Sequence, residues 1–573
     1  MTGFLDRLRQ RKLVQWALAY VAGAFAFLQG IDIVATKFGW PESVERILIV
    51  AMCVGFFLAL LLAWYHGEQG RQRASGTELL LIALVLAVGG GFLWKFARNA
   101  PQPSAPGAGV AVAAPNATQP FAAEAHSIAV LPFVDMSQAH DQEYFSDGLS
   151  EELLNQLAQL SQLRVIARTS SFSFKGKEVD VATIARVLNV ANVLEGSVRK
   201  DGDTLRITAQ LIRTSDSSHL WSRTYDRKLT DVFKVQDEIS TEVVNALKLK
   251  LLPSQKVGNT QGTDNIEAYN QYLLGNQFDN LSNPGNWQRA MDAYRRAIAL
   301  DPNYAAAYSA LASAEGYLGD SSGDSKLRDQ ALVDASRAIA LAPGLSDGYV
   351  TRGISLLAYK FDWRGGQADL ETALALNPGN SQVQLGYGRL MIILGRVPEA
   401  AAALRKAVTL DPLSGRAWAE LGRFLYVSGQ HAEARQALDR ALQISPESGY
   451  AHFHRGNELL LSGKQQDALA NFLQTGAVYG FAGVAMAQYS LGHAAQSQQA
   501  LDDGIAKYSQ GAAYQVAEVY AWRGEKDKAF EWLDRAYVQH DGGLTFIKAD
   551  PLLDRLKSDP RFPAFMMKIG LPE

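Results

Sequence analysis

Five prolines, Pro302, Pro343, Pro378, Pro412 and Pro446, each close an alanine-rich amphipathic run: AIALDP, AIALAP, ALALNP, AVTLDP and ALQISP. Proline has no N–H for the helical ladder and its ring clashes with the preceding turn, so each one marks a helix end. From Pro343 onward the spacing is nearly constant, at about 34 residues. A fixed period of that length is one helix pair; a single pair cannot bury its apolar face, and stacked copies bury a continuous core. The C-terminal half is therefore expected to be an all-α solenoid. Solenoids present long concave surfaces and serve as binding scaffolds.

The best repeat contains Trp418, Leu421, Gly422, Leu425, Ala434, Leu438, Ala441 and Pro446. The unit before it supplies Tyr387, Gly388, Ala400, Leu404, Ala407 and Pro412, and the unit after it Gly456, Leu459, Ala468 and Phe472. This pattern resembles the tetratricopeptide repeat, with Leu425 and Leu438 standing where that motif carries Tyr and Phe. Small residues at Gly422 and Ala434 let the two helices of a pair approach, and large ones fill the space between pairs. The solenoid is expected over 265–540, with an inserted loop at Asp320–Asp324 and a further pair in 512–537. Residues 541–573 are expected to cap the last apolar face; their sequence resembles the closing segment of bacterial repeat proteins of this group.

The first hundred residues have a different solvent preference. LVQWALAYVAGAFAFLQGI (13–31), ILIVAMCVGFFLALLLAWY (47–65) and LLLIALVLAVGGGFLW (79–94) carry no charge. A helix needs about 20 mostly apolar residues to cross the hydrocarbon. Three spans are expected, at about 13–35, 45–66 and 77–97, within a membrane region 1–98. Trp16, Trp40, Trp64, Tyr65 and Trp94 stand near their ends, as interfacial aromatics do. Arg7, Arg9, Arg11, Lys12, Arg71 and Arg73 outweigh Lys37, Arg46, Lys95 and Arg98. That bias places the N-terminus in the cytoplasm and the C-terminal domains in the periplasm of a bacterial inner membrane. The single cysteine, Cys53, lies in the second run, so no disulfide within the chain and no cysteine zinc site can form.

Residues 99–125, rich in alanine, proline and glycine, read as a tether. Order resumes in 126–255. SIAVLPF (127–133) and LRVIARTS (163–170) read as strands, SDGLSEELLNQLAQL (146–160) and DVATIARVLNV (180–190) as amphipathic helices. Asp201-Gly202 is a hairpin turn, Asp216-Ser217 a further turn, and a helix runs from Val232 to about Leu251. The strings AVLPF (129–133), EYFSDGLSEEL (143–153), VIARTSSFSFKGK (165–177), VLEGSVRKDGDTLRITAQLI (193–212) and LWSRTYDRKLTDVFKVQDEI (220–239) carry a resemblance to the bacterial FlgO family, also described as similar to the N-terminal domain of TolB. The resemblance implies a small α/β domain of envelope-associated proteins, coupled to tetratricopeptide repeats and without agreed catalytic residues. Similar regions in family relatives are fused to nucleotide cyclase or winged-helix domains. The fold class expected is therefore multi-domain: three transmembrane helices, a small α/β domain and an all-α solenoid.

Catalytic signatures are sparse. Gly456 and Gly463-Lys464 are spaced wrongly for a phosphate loop and fall in a repeat helix. His452 and His454 are two apart and point to different helix faces. Glu143, Asp147, Glu151 and Glu152 cluster near a helix N-terminus, where the dipole alone favours acids. Arg168 and Lys175 read as a solvated strand edge. A net charge of −3 argues against a dedicated nucleic-acid binder. No catalytic, metal or cofactor site is expected, and the chain reads as a non-enzyme.

One set is more pointed. Arg389, Arg423 and Asn457 fall at the same position of three successive repeats, on the helix face that lines a tetratricopeptide groove. Gln382, Arg416, Tyr426 and Tyr450 are expected beside them. Basic and amide groups stacked there clamp a peptide carboxylate through charge-assisted bonds; the alternative is ordinary polar scaffold surface. The expectation is a membrane-anchored periplasmic scaffold binding protein or peptide partners through this groove. The rival expectation is a signalling component acting through a separate effector.

Overall fold

A computed structural model describes residues 123–571 except 139, 250–261 and 282. These residues fall in one compact unit, Gln119–Glu573.

A sheet domain comes first. Its strands are β1 (Ser127–Val130), β2 (Val134–Asp135), β3 (Arg164–Val165), β4 (Asn192–Asp201), β5 (Thr204–Arg213) and β6 (His219–Lys228). The order is β3-β1-β4-β5-β6, with β2 also on β4. β1 pairs in parallel with β3 and β4, while β4, β5 and β6 form an antiparallel meander. Asp201 and Thr204 pair across the expected hairpin, whose Gly202 takes the left-handed conformation at φ 57°. Helices α1 (Glu143–Ala158), α2 (Arg168–Phe172), α3 (Val181–Leu188) and α4 (Val232–Ala246) complete the domain. Leu149, Leu153 and Leu157 of α1 and Val235, Ile239 and Val243 of α4 share a core with Ile128, Leu194 and Ile207; Ile184 and Leu188 of α3 pack with Ala129, Ile166 and Val193. The strand expected over 163–170 is shorter than its sequence suggests, because the chain turns into α2 at Arg168. Ser170 there meets the solenoid.

Eight helix pairs follow among the described residues. They are α5 and α6 (Ile266–Asp279, Pro284–Leu300), α7 and α8 (Ala305–Ser322, Ser325–Leu341), α9 and α10 (Ser346–Ser355, Trp363–Leu376), and α11 and α12 (Ser381–Ile393, Val397–Leu410). Then come α13 and α14 (Gly415–Val427, His431–Ile444), α15 and α16 (Gly449–Leu461, Gln465–Phe472), α17 and α18 (Ala477–Ser490, Ala494–Tyr508), and α19 and α20 (Ala513–Arg523, Lys526–Val538). The loop expected at Asp320–Asp324 is only a turn, since α7 continues to Ser322 and Asp324 caps α8. Short helices α21 (Asp554–Lys557) and α22 (Arg561–Ile569) end the chain.

The repeat is visible atom by atom. Asn380, Ser414 and Ser448 cap the first helix of three successive pairs, each accepting backbone N–H bonds from the first turn. Gly395, Gly429 and Gly463 leave those helices at φ 73–77°. A Cβ added at Gly388, Gly422 or Gly456 would lie 2.5–2.7 Å from Leu404, Leu438 or Phe472, which is why no side chain fits where the two helices cross.

The sheet domain is joined to the solenoid at several points, among them Gly379, where an added Cβ would lie 2.6 Å from the Ala158 carbonyl. Its core continues into Tyr269, Leu273, Tyr294 and Tyr304 of the first repeats. Farther along, the Ala167 N–H donates to the Leu410 carbonyl at 2.8 Å, and the Ser170 hydroxyl donates to Asp411 at 2.5 Å.

The expected membrane architecture is corrected. Among the described residues no helix is long and apolar enough to cross a membrane. The longest, α7, has 18 residues and carries Glu315 and Asp320. The fold class of the described residues is a small sheet domain with a helix-pair solenoid, and the inner-membrane and periplasmic assignment is withdrawn, since none of their helices supports it. The segments at about 13–35, 45–66 and 77–97, and most of the 99–125 tether, lie outside the described residues.

Candidate functional site

Residues i, i+4 and i+7 share one helix face. On α13 these are Arg416, Glu420 and Arg423; one repeat later α15 places Tyr450, His454 and Asn457 there, and one repeat earlier α11 places Arg389. Stacking the pairs brings these faces together as one lining, with Arg416 over the Tyr450 ring and Tyr426 against His454.

Glu420 sits at its centre, 2% exposed. Burial alone would raise its pKa, but Arg389, Arg416 and Arg423 outweigh burial and hold the carboxyl down at about 2. Arg416 reaches it with two long bonds of 3.3 and 3.4 Å, keeps 57% of its side chain exposed, and lies 4.7 Å over the Tyr450 ring. Three guanidinium groups thus surround one ionised carboxylate. The Tyr426 hydroxyl and His454 Nδ1 are 2.9 Å apart, and Tyr450 stands edge-on to the same imidazole at 4.4 Å. Burial and then Arg423 push His454 well below its usual range, so it stays neutral. Asn457 is buried beside the Tyr426 hydroxyl. Gln382 holds the Arg416 position one repeat earlier, exposed at the start of α11.

The lining is not empty. Phe546, in a 3-10 turn at Gly542–Phe546, lies 3.5 Å beneath the Arg423 guanidinium and 5.7 Å from that of Arg389. Sequence reasoning placed the arginines but missed Glu420, His454 and this turn. The first two were recoverable by stepping one repeat along the same face; the turn lies beyond the periodic region.

A second cleft, of about 440 Å³, lies between α1, α2 and the end of α5. Its cations are already paired. Lys175 bridges Glu143 and Asp147 at 2.7 and 2.5 Å, and Arg168 binds Glu151 at 2.9 Å and covers Phe172. His452 and His454 diverge, the former bonding Asn471 and the Pro446 carbonyl.

Residues 355–414 and 394–449 match the family model described as tetratricopeptide repeat, and residues 284–316 match one described as TPR repeat. The chain carries tetratricopeptide repeats. Residues 124–254, the sheet domain, match the model of the HilA/YgeH-like transcriptional regulator, second domain; kinship with FlgO or TolB is not shown. Over 186 residues the chain is 41% identical to a protein of Rhizobium meliloti (strain 1021) named "Putative adenylate cyclase 3". That match covers 32% of this chain and 32% of the relative, so the chain spans about a third of the relative's length. Among solved structures, a thermophilic TPR protein of Thermus thermophilus is 22% identical over 34% of this chain and 99% of its own, with a TM-score of 0.29. PilF of Pseudomonas aeruginosa is 17% identical over 39% and 98%, with a TM-score of 0.30. Scores this low add nothing to the repeat assignment.

Proposed function

We propose that this chain is an interaction scaffold whose tetratricopeptide solenoid binds a protein segment on its concave face, and that Arg416, with Arg423 and Arg389 behind it, receives a carboxylate of that segment. The observation that supports this reading is the convergence of Arg389, Arg416 and Arg423 on Glu420, with Asp320 facing the first two and Glu518 the third. Arg416 makes only long bonds to Glu420 and keeps more than half of its side chain in water, so its donors can turn to a second anion with little loss. The Tyr450 ring supplies flat apolar surface beside it. Titrating the full chain with a library of peptides, each as free acid and as C-terminal amide, tests the reading. Free acids should bind at least about tenfold tighter, the equivalent of one charge-assisted contact. Arg416→Ala should erase the difference. Equal binding of acid and amide would remove the carboxylate from the proposal.

A second reading is a signalling component that acts through a separate effector. It draws on the regulator-type model matched by the sheet domain and on the cyclase-named relative. ATP or GTP turnover by the purified full chain would move the reading from scaffold to enzyme.

A further inference from the structure

We propose that the concave face carries a built-in occupant, the strap Asp541–Asp550, and that the partner it fits is a segment of the same chemistry: an aromatic residue with aliphatic ones two before and one after it, and an acid a few positions on. The inference rests on the reading of the concave face as a peptide seat and deepens it by naming what the seat accepts.

The strap is a loop pinched at one residue. At its start, Asp541 accepts the Tyr514 N–H at 3.0 Å; at its end, Asp550 accepts the Tyr514 hydroxyl at 2.8 Å. Between these two ties the chain crosses the lumen. Thr545 lines a small cavity with Ile354, Leu357 and Ala358, in the stretch from α9 into the turn after it, and Phe546 takes its place beneath Arg423 of α13. Leu544, Phe546 and Ile547 are buried there. A cation over an aromatic face is attracted by the ring quadrupole, and more strongly where water is excluded. The seat therefore selects an aromatic side chain, with aliphatic neighbours.

Three features bear on the strap leaving as a unit. The backbone N–H groups of Leu544, Ile547, Ala549 and Asp550 all donate to carbonyls within the strap, so they stay satisfied when it leaves. His540, at φ 52°, marks the turn on the entry side, and Gly543, where an added Cβ would fall 2.5 Å from Tyr514, lets the strap lie close on that ring. The terminal cap is held without it: Trp363 Nε1 donates to the Ile569 carbonyl at 3.1 Å, Arg561 pairs with Asp527 at 2.8 Å and Lys568 with Asp534 at 2.7 Å. Withdrawing the strap vacates the seat and exposes Leu544, Phe546 and Ile547, which share one core with Leu552, Leu553 and Leu556, while these three ties of the cap remain.

The test uses a fluorescent peptide of residues 541–550, DGGLTFIKAD, added to the full chain. Wild type, with its seat filled, should bind the peptide at least about tenfold more weakly than Phe546→Ala. Phe546→Leu, which keeps aliphatic bulk but loses the ring, guards against a folding defect and should show the same direction of change. Adding Arg423→Ala to either variant should abolish the gain. Equal binding by wild type and both variants, or a gain that survives Arg423→Ala, would overturn the proposal. Its failure is separable from that of the carboxylate reading. Library peptides that bind wild type and Phe546→Ala alike, free acids still ahead of amides, would sink the strap and leave the carboxylate. A gain in peptide binding on Phe546→Ala, with no preference for free acids, would do the reverse.

Discussion

Glu420 shows how a single position is set by its neighbours. Its folded pKa of about 2 lies below the ordinary value of 4.5 because Arg389, Arg416 and Arg423 outweigh its burial. A carboxyl depressed on folding contributes stability above its unfolded pKa and loses it as pH falls through the folded one. The chain should therefore lose on the order of 3 kcal/mol from this site between about pH 5 and 2. Glu420→Gln should remove that part of the acid limb of a denaturant-midpoint profile; an unchanged limb would mean the arginines do not hold the carboxylate. Glu315 runs the other way: burial and then Asp334 raise its carboxyl to about 8. At this scale the sequence was only partly legible. Arg389 and Arg423 were found by stepping one repeat, because the period maps a position to a face. Glu420 escaped because an acid among expected cation positions looks like solvated surface until the neighbouring helices bury it.

At the scale of elements, periodic local chemistry explains what could be read. Prolines ending the helices, caps at Asn380, Ser414 and Ser448, and exits at Gly395, Gly429 and Gly463 each act within a few residues of chain, so they are written in the sequence. The contrast between two glycines tests the packing account. Gly422 lies in α13, where a Cβ would fall 2.5 Å from Leu438; Gly316 lies in α7 with open space around it. Gly316→Ala should raise stability by up to about 1 kcal/mol through helix propensity. Gly422→Ala should gain the same propensity but lose more, about 1–3 kcal/mol, to overpacking, so its net shift in thermal midpoint should be downward. Two upward shifts would mean the helices of a pair are not in close contact. What could not be read is long-range. The strand expected over 163–170 becomes α2 where Ser170 meets Asp411, 241 residues away, and no local pattern encodes that partner. The strap is hidden for the same reason, since its seat lies on helices that precede it by more than a hundred residues.

At the scale of the molecule, the sheet domain braces the solenoid, sharing a core with α5–α7 and bonding again at Leu410 and Asp411. These attachments hold the repeats between them, Arg389 included, against the sheet domain, and Arg416 and Arg423 follow on the next helix, α13. That face, rather than the outer helices, is the surface proposed to bind. Photo-crosslinking tests this directly. A benzophenone amino acid would replace Tyr450 on the concave face in one sample and Val333, exposed on the second helix of its pair, in another. Each full chain would be irradiated with the free-acid peptides that bind it. Crosslinks from position 450 and none from 333, lost on adding Arg416→Ala, are the result expected. Crosslinks from 333 with none from 450 would place the binding surface elsewhere and contradict the account.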